Sequence, residues 1–263
     1  MNSAELSGRV ALVTGASSGI GRQAAMDFAA LGANVVVNAR RAEKIRSLVD
    51  EISQAGGQAY AVAGDCVENE TIDACYAACN SQFGADPDLV LVNAGRGLRG
   101  SPLTSDPEEW EDILRLNVLG ATRLIRRAAL SMQEMCPNPS ESDDWLRRPR
   151  DILVISSSVA KNISPFSSMY GSTKFAIASI AEAVRREISS NGVRVSNICP
   201  AIVRTEFQEA AKYEMEGFGA FMETLAPVLD AHDISRLLSF IVTQPAHMCV
   251  NDVMVRPVRQ EYP

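Results

Sequence analysis

Seven short apolar runs recur along the 263-residue chain, and helical patterns separate them. This alternation limits the possible folds more than any other feature. The runs are residues 9–14 (RVALVT), 34–38 (NVVVN), 58–64 (QAYAVAG), 88–93 (DLVLVN), 151–156 (DILVIS), 193–199 (VRVSNIC) and 252–256 (DVMVR). Several are apolar at nearly every position and rich in β-branched residues, which suits strands covered on both faces. The stretches between them, such as 19–31 and 41–54, carry apolar residues at helical spacing. Such alternation implies parallel strands joined by crossover helices. We expect an α/β fold: one doubly wound domain spanning residues 1–263, with a parallel sheet of about seven strands and helices on both faces.

Composition narrows the function classes. A hydrophobic content of 46% with 22% charged residues is that of a globular protein in water. The net charge of −7 speaks against a nucleic-acid surface. The first fifteen residues hold no basic region followed by a long apolar stretch, so no secretory signal is read there. No run reaches the ~18 apolar residues of a membrane span. The cysteines Cys66, Cys75, Cys79, Cys136, Cys199 and Cys249 form no CxxC pair, so free thiols in a reducing cytoplasm are expected. With His232 and His247 as its two histidines, the chain shows no metal site. The polar stretch 137–150, with three prolines, reads as a surface loop rather than a domain boundary.

The first run leads directly into Thr14-Gly15-Ala16-Ser17-Ser18-Gly19-Ile20-Gly21, and a helical pattern follows. Glycines permit a tight turn and close backbone approach to a ligand. The helix start offers free N–H groups and a positive dipole end to a diphosphate. Farther on, Tyr170 and Lys174 stand at i and i+4 within a helical pattern over residues 169–188, and so share one face. A free tyrosine ionises near ~10, and an adjacent ammonium favours its phenolate. A phenol so tuned can give or take a proton near neutral pH.

Together these segments resemble the short-chain dehydrogenase/reductase family, whose members have a Rossmann fold. TGASSGIG resembles the family's cofactor loop, and the resemblance for fold and cofactor covers nearly the whole chain. It implies that Gly15, Ser17, Ser18, Gly19, Ile20 and Gly21 hold the cofactor diphosphate. The family position that selects NAD through a carboxylate is here Ala39, followed by Arg40 and Arg41. A guanidinium suits a 2′-phosphate, so NADP(H) is the expected cofactor, with Arg40 as its ligand and Arg41 either assisting or facing solvent. Asp65-Cys66 resembles the family's Asp-Val pair at the adenine. Asn93-Ala94-Gly95 resembles a shortened NNAG motif, in which the asparagine stabilises the central sheet.

The resemblance assigns catalysis to Asn117, Ser157, Tyr170 and Lys174. Tyr170 is the acid/base, Lys174 tunes it, and Ser157 binds the substrate oxygen. Asn117 helps a water connect Lys174 to solvent. Ser157 precedes Tyr170 by the family's usual thirteen residues, with Ser158 as the alternative. Residues 200–205 (PAIVRT) resemble the family's PGxVxT segment, so Pro200, Ile202 and Thr205 are expected at the nicotinamide, with Ala201 in the glycine's place.

Residues 206–227 are expected to form a lid that includes Phe207, Tyr213, Met215, Phe218, Phe221 and Met222. The same residues could instead pack ordinary helices. The tail 251–260 resembles a subgroup of serine, 3-hydroxy acid and clavulanate-dehydrogenase-like enzymes that generally use NADP. Its Arg256 is read as structural or inter-subunit, with a substrate carboxylate as the other possible partner. The implied activity is an NADP(H)-dependent oxidoreductase acting on a small carbonyl or secondary alcohol, as a cytoplasmic homodimer or homotetramer, with no nucleic-acid or membrane partner. A catalytically silent NADP-binding regulator is the alternative. A sugar-nucleotide epimerase would need GxxGxxG and a longer substrate domain, which the chain lacks.

Overall fold

The structure, a computed structural model, describes residues 5–136, 143–211 and 215–261. The strands are β1 (Val10–Thr14), β2 (Asn34–Ala39), β3 (Gln58–Ala63), β4 (Leu89–Val92), β5 (Arg150–Ile155), β6 (Val193–Pro200), β7 (Val203–Arg204), β8 (Leu229–Asp230) and β9 (Asp252–Val255). Seven of them form one parallel sheet in the order β3-β2-β1-β4-β5-β6-β9, while β7 and β8 pair with each other. The fold is therefore the doubly wound Rossmann type, and all seven apolar runs become strands of the main sheet.

The helices are α1 (Gly19–Ala30), α2 (Ala42–Gln54), α3 (Asn69–Phe83), α4 (Trp110–Leu114), α5 (Ala121–Glu134), α6 (Asp144–Arg147), α7 (Ser168–Ile188), α8 (Phe207–Ala210), α9 (Met215–Leu225) and α10 (Ala231–Val242). Successive side chains of a strand point to opposite faces, so the sheet has two cores. Ala11, Val13, Val35 and Val37 meet Phe28 of α1, Ile45 and Leu48 of α2, and Ile234 and Leu238 of α10. Val10, Leu12, Val36 and Val90 meet Tyr76 of α3, Leu124 and Ile125 of α5, and Ile177 of α7. Fully burying one such side chain contributes roughly 1.5–3 kcal/mol. The edge strands β3 and β9 depart from this pattern: exposed and partly buried residues alternate along them, because helices cover less of the sheet's margins.

Of the polar stretch 137–150, residues 137–142 lie outside the described residues. The remainder holds the single turn α6 and leads into β5.

At the N-terminal ends of the strands lies a buried ionic cluster that the sequence reading did not identify. Arg9 pairs with Asp88 at 2.8 Å and with Asp151 at 2.9 Å. Arg194 grips Asp151 with two bonds of 2.7 and 2.8 Å, and Asp151 is fully buried. The Arg194 guanidinium also donates to the carbonyls of Val242 and Gln244, which ties the end of α10 to the sheet. Removing the central charge leaves the buried Arg194 guanidinium without a carboxylate and Arg9 with Asp88 alone. Asp151→Asn is therefore expected to lower unfolding stability by about 3–5 kcal/mol, measured by urea denaturation. A loss below ~1 kcal/mol would contradict this account of the cluster.

Candidate active site

Strand order reverses between β1 and β4, and ligands of open α/β sheets bind beyond the strand ends at such a point. Here the structure opens a cavity of about 1690 Å³. That exceeds the roughly 300–1,000 Å³ usual for one small ligand and leaves room for a dinucleotide beside a second molecule.

One wall is the glycine loop between β1 and α1. Asn93 locks it in place: its amide Nδ2 donates to the Thr14 carbonyl at 2.9 Å, and its backbone N–H donates to Thr14 Oγ1 at 3.2 Å. Ala16 N–H donates to the Asn38 carbonyl, joining the loop to β2. The loop packs so closely that a Cβ on Gly21 would stand 2.5 Å from Asn93 Nδ2 and 2.7 Å from the Gly15 oxygen. Only glycine fits there. Ser18 caps α1 in an extended conformation without a side-chain cap bond. Gly15, Ser17, Ser18, Gly19 and Ile20 line the cavity.

The end of the cavity beside β2 is cationic. Arg40 and Arg41 both line the cavity, as do Asp65 and Cys66. The Arg41 guanidinium donates to Ser17 Oγ at 2.9 Å and to Ser18 Oγ at 2.8 Å, so it lies against the phosphate loop. Lys44, which sequence reasoning missed, shares the Glu206 carboxylate with Arg41. Asp65 accepts from the Val67 N–H at 3.1 Å, shaping the turn after β3. Burial pushes the Cys66 thiol up to about 11, so it stays neutral at physiological pH.

The other wall carries the reactive groups. Tyr170 and Lys174 lie on α7 and face the cavity, both largely buried. Lys174 Nζ stands 5.7 Å from the Tyr170 ring centroid and donates to the Ile155 carbonyl at 2.9 Å. Burial pulls the Lys174 ammonium down to about 8. Ser157 and Ser158 follow β5 at the cavity wall, and Ser157 Oγ lies 3.4 Å from the Pro200 carbonyl. Asn117 sits in a π-helical turn, Arg115–Gly120, between α4 and α5. Such bulges occur frequently at functional sites. Its amide bonds Arg96 N–H and C=O at 2.9 and 2.8 Å and the Thr173 hydroxyl at 3.0 Å. It thus ties the loop after β4, which holds Ala94 and Gly95, to α7.

The segment after β6 closes over this wall. Phe207 packs on Tyr170 with ring centroids 5.6 Å apart. A Cβ on Gly97 would stand 2.6 Å from Ala211 Cβ, so the close seat of α8 depends on that glycine. Thr205, Phe218 and Phe221 line the cavity, whereas Met222 is buried outside its lining. Tyr213 and the side chain of Met215 lie outside the described residues. Ile202 N–H donates to Gln260 Oε1 at 3.2 Å. Gln260 thereby brings the C-terminal tail to the site, a contact visible only after folding. Arg256 contacts Met254 and the Glu261 carbonyl outside the cavity lining.

Among the described residues, no group of three or more His, Cys, Asp or Glu could hold a metal. No described helix is long and apolar enough to cross a membrane.

A nucleotide fold with a Tyr–Lys helix facing its phosphate loop defines a class of oxidoreductase. The family model "short chain dehydrogenase" matches residues 9–216, and the chain belongs to this family. An uncharacterised oxidoreductase of Staphylococcus aureus (strain MW2) is 27% identical over 253 residues, covering 96% of this chain and 99% of the relative. A serine dehydrogenase solved in closed form with NADP+ superposes with a TM-score of 0.83 at 25% identity, covering 96% of both chains. A 3-ketoacyl-(acyl-carrier-protein) reductase from Brucella melitensis, solved with NADH, has a TM-score of 0.82 at 27% identity, covering 97% of this chain and 99% of that one.

Burial of Lys174 has a measurable consequence. Its folded-state pKa lies below the ordinary 10.5, so folding is penalised while the amine is charged. The penalty is full below about pH 8 and fades as pH rises from 8 towards 10.5. We expect Lys174→Met to gain up to about 3 kcal/mol over the parent at pH 7, with a smaller gain at pH 9.5. Urea denaturation at the two pH values measures both, and a gain that grew with pH would refute this reading.

Proposed function

We propose that the protein is an NADP(H)-dependent oxidoreductase that interconverts a carbonyl and a secondary alcohol on a small substrate. The observation that carries this reading is the placement of Tyr170, Lys174 and Ser157 on one cavity wall, opposite a glycine loop flanked by Arg40 and Arg41. The residues suit the cofactor: the start of α1 faces the cavity and offers donors to a diphosphate, and the arginines match a 2′-phosphate. When bound, a nicotinamide supplies hydride transfer. Gly15, Ser17, Ser18, Gly19, Ile20 and Gly21 would cradle the diphosphate. Asp65 and Cys66 would flank the adenine, and Asn93, Ala94, Gly95, Pro200, Ile202 and Thr205 would border the nicotinamide half.

In reduction, Tyr170 donates a proton to the substrate oxygen; in oxidation it accepts one. The charge on Lys174 stabilises negative charge on the phenol oxygen. Ser157 donates a hydrogen bond to the substrate oxygen as charge develops there. Asn117 holds the loop and helix that define the proton path, and water would relay the proton from solvent. The whole chain acts as one unit, with residues 206–227 as its lid. Exposed Leu114, Leu119 and Phe175 lie on the segments around Asn117 and Tyr170 and support pairing through those helices into a homodimer or homotetramer. Six unpaired cysteines suit a cytoplasmic setting.

The test is an NADPH oxidation screen over ketones, aldehydes and 3-oxo acids, with serine and 3-hydroxy acids assayed in the NADP+ direction. Tyr170→Phe should bind NADPH normally yet lose about a hundredfold to ten-thousandfold in turnover; full activity would end this mechanism. Arg40→Asp should weaken NADPH relative to NADH, and an unchanged preference would remove Arg40 from the phosphate site.

A further inference from the structure

Three consecutive residues, Thr205, Glu206 and Phe207, reach three parts of the cavity. A Cβ on Gly19 would lie 3.2 Å from Thr205 Cγ2, so Thr205 abuts the phosphate loop. Phe207 packs on the Tyr170 ring. Glu206 points the other way, to the cationic adenosine end. Its Oε2 accepts from Arg41 Nη1 at 2.8 Å, and its Oε1 accepts from Lys44 Nζ at 2.9 Å. Lys44 and Arg41 hold the Glu206 carboxyl down at about 2, so it is ionised at any assay pH.

No fold requirement explains this carboxylate. Arg41, Lys44 and Glu206 are each about half exposed, and exposed ion pairs contribute little to stability. The pairs instead join the start of α2 to the first residue of the lid. They also occupy Arg41, one of the two arginines that line this end of the cavity, and Lys44 beside it at the start of α2, while Arg41 remains bonded to Ser17 and Ser18 of the phosphate loop. A 2′-phosphate brought to Arg40 and Arg41 would carry up to two negative charges towards Glu206. The carboxylate and the phosphate cannot both hold Arg41 and Lys44 without mutual repulsion.

We propose that Glu206 is a cofactor-selecting latch: it competes with the cofactor 2′-phosphate for Arg41 and Lys44, and its displacement frees the first turn of the lid. This inference rests on the NADP(H) reading above and adds a residue that opposes the phosphate rather than binding it. A 2′-hydroxyl carries no charge to displace the latch, so NADH leaves Glu206 on its cations. The carboxylate thus lowers NADPH affinity selectively, and it links arrival of the phosphate to the segment that carries Phe207 over Tyr170.

The experiment is direct titration of the full-length protein with NADPH and with NADH, followed by nicotinamide fluorescence, for the parent, Glu206→Gln and Lys44→Gln. Glu206→Gln is expected to tighten NADPH about three- to tenfold while NADH changes less than about twofold. Lys44→Gln should weaken NADPH and leave NADH nearly unchanged. The Glu206→Gln gain should shrink as salt rises, because exposed charges are screened. If Glu206 merely anchors the lid, its substitution shifts both cofactors equally or neither, and the latch is overturned. If the parent itself binds NADPH no better than NADH, the NADP(H) reading fails first and the latch with it. A parent that prefers NADPH, combined with an unchanged Glu206→Gln ratio, removes the latch alone.

Discussion

Thr14 and Asn93 stand where the sheet divides, at the adjacent ends of β1 and β4. Their hydrogen bonds hold the phosphate loop against the loop after β4, and the rest of the site is measured from that junction. A parallel sheet leaves its strand ends without ladder partners, so side chains must close them. Thr14 Oγ1 also donates to the Leu91 carbonyl, which draws both strands to one level. With the junction fixed, Gly21 can pack against Gly15, and the start of α1 faces the cavity.

From there the site is held in two directions. Towards α7, Asn117 links the backbone of Arg96 to Thr173, one residue before Lys174. The π-helical turn around Asn117 shifts the helical phase between α4 and α5, and this places the amide between the two elements. Towards β6, Ser157 meets the Pro200 carbonyl. The proposed acid–base pair thus stands on a helix braced at both sides, while Lys174 bears the cost of burial. Precise placement of reacting groups calls for such bracing.

The segment after β6 is built differently. It is attached through Phe207 on Tyr170, through the tight seat at Gly97, and through exposed ion pairs to Arg41 and Lys44. Short contacts and screened charges hold a segment in place without fixing it as firmly as the core does. This contrast suits a cavity that must admit and release molecules.

The seven apolar runs, the glycine loop and the spacing of Tyr170 and Lys174 were legible because each depends on local periodicity or on a single turn. Solvent on one face, strand pleat and helix pitch leave marks within short stretches of chain. Fold class and strand positions followed from those marks, whereas the cofactor and catalytic positions were read from the family resemblance, and many lining residues, such as Arg96, Leu98 and Phe166, carried no mark of their own. The π-helical turn at Asn117, the reach of Gln260 to Ile202, the Arg9–Asp88–Asp151–Arg194 cluster and the shared grip on Glu206 were not legible. Each depends on residues far apart in the chain, and only the tertiary structure decides which side chains meet. The sequence alone determined that a dinucleotide-type α/β sheet forms and which helix carries the tyrosine. Packing decided that Arg41, rather than Arg40, lies against the phosphate loop, where its guanidinium bonds both serine hydroxyls and the Glu206 carboxylate.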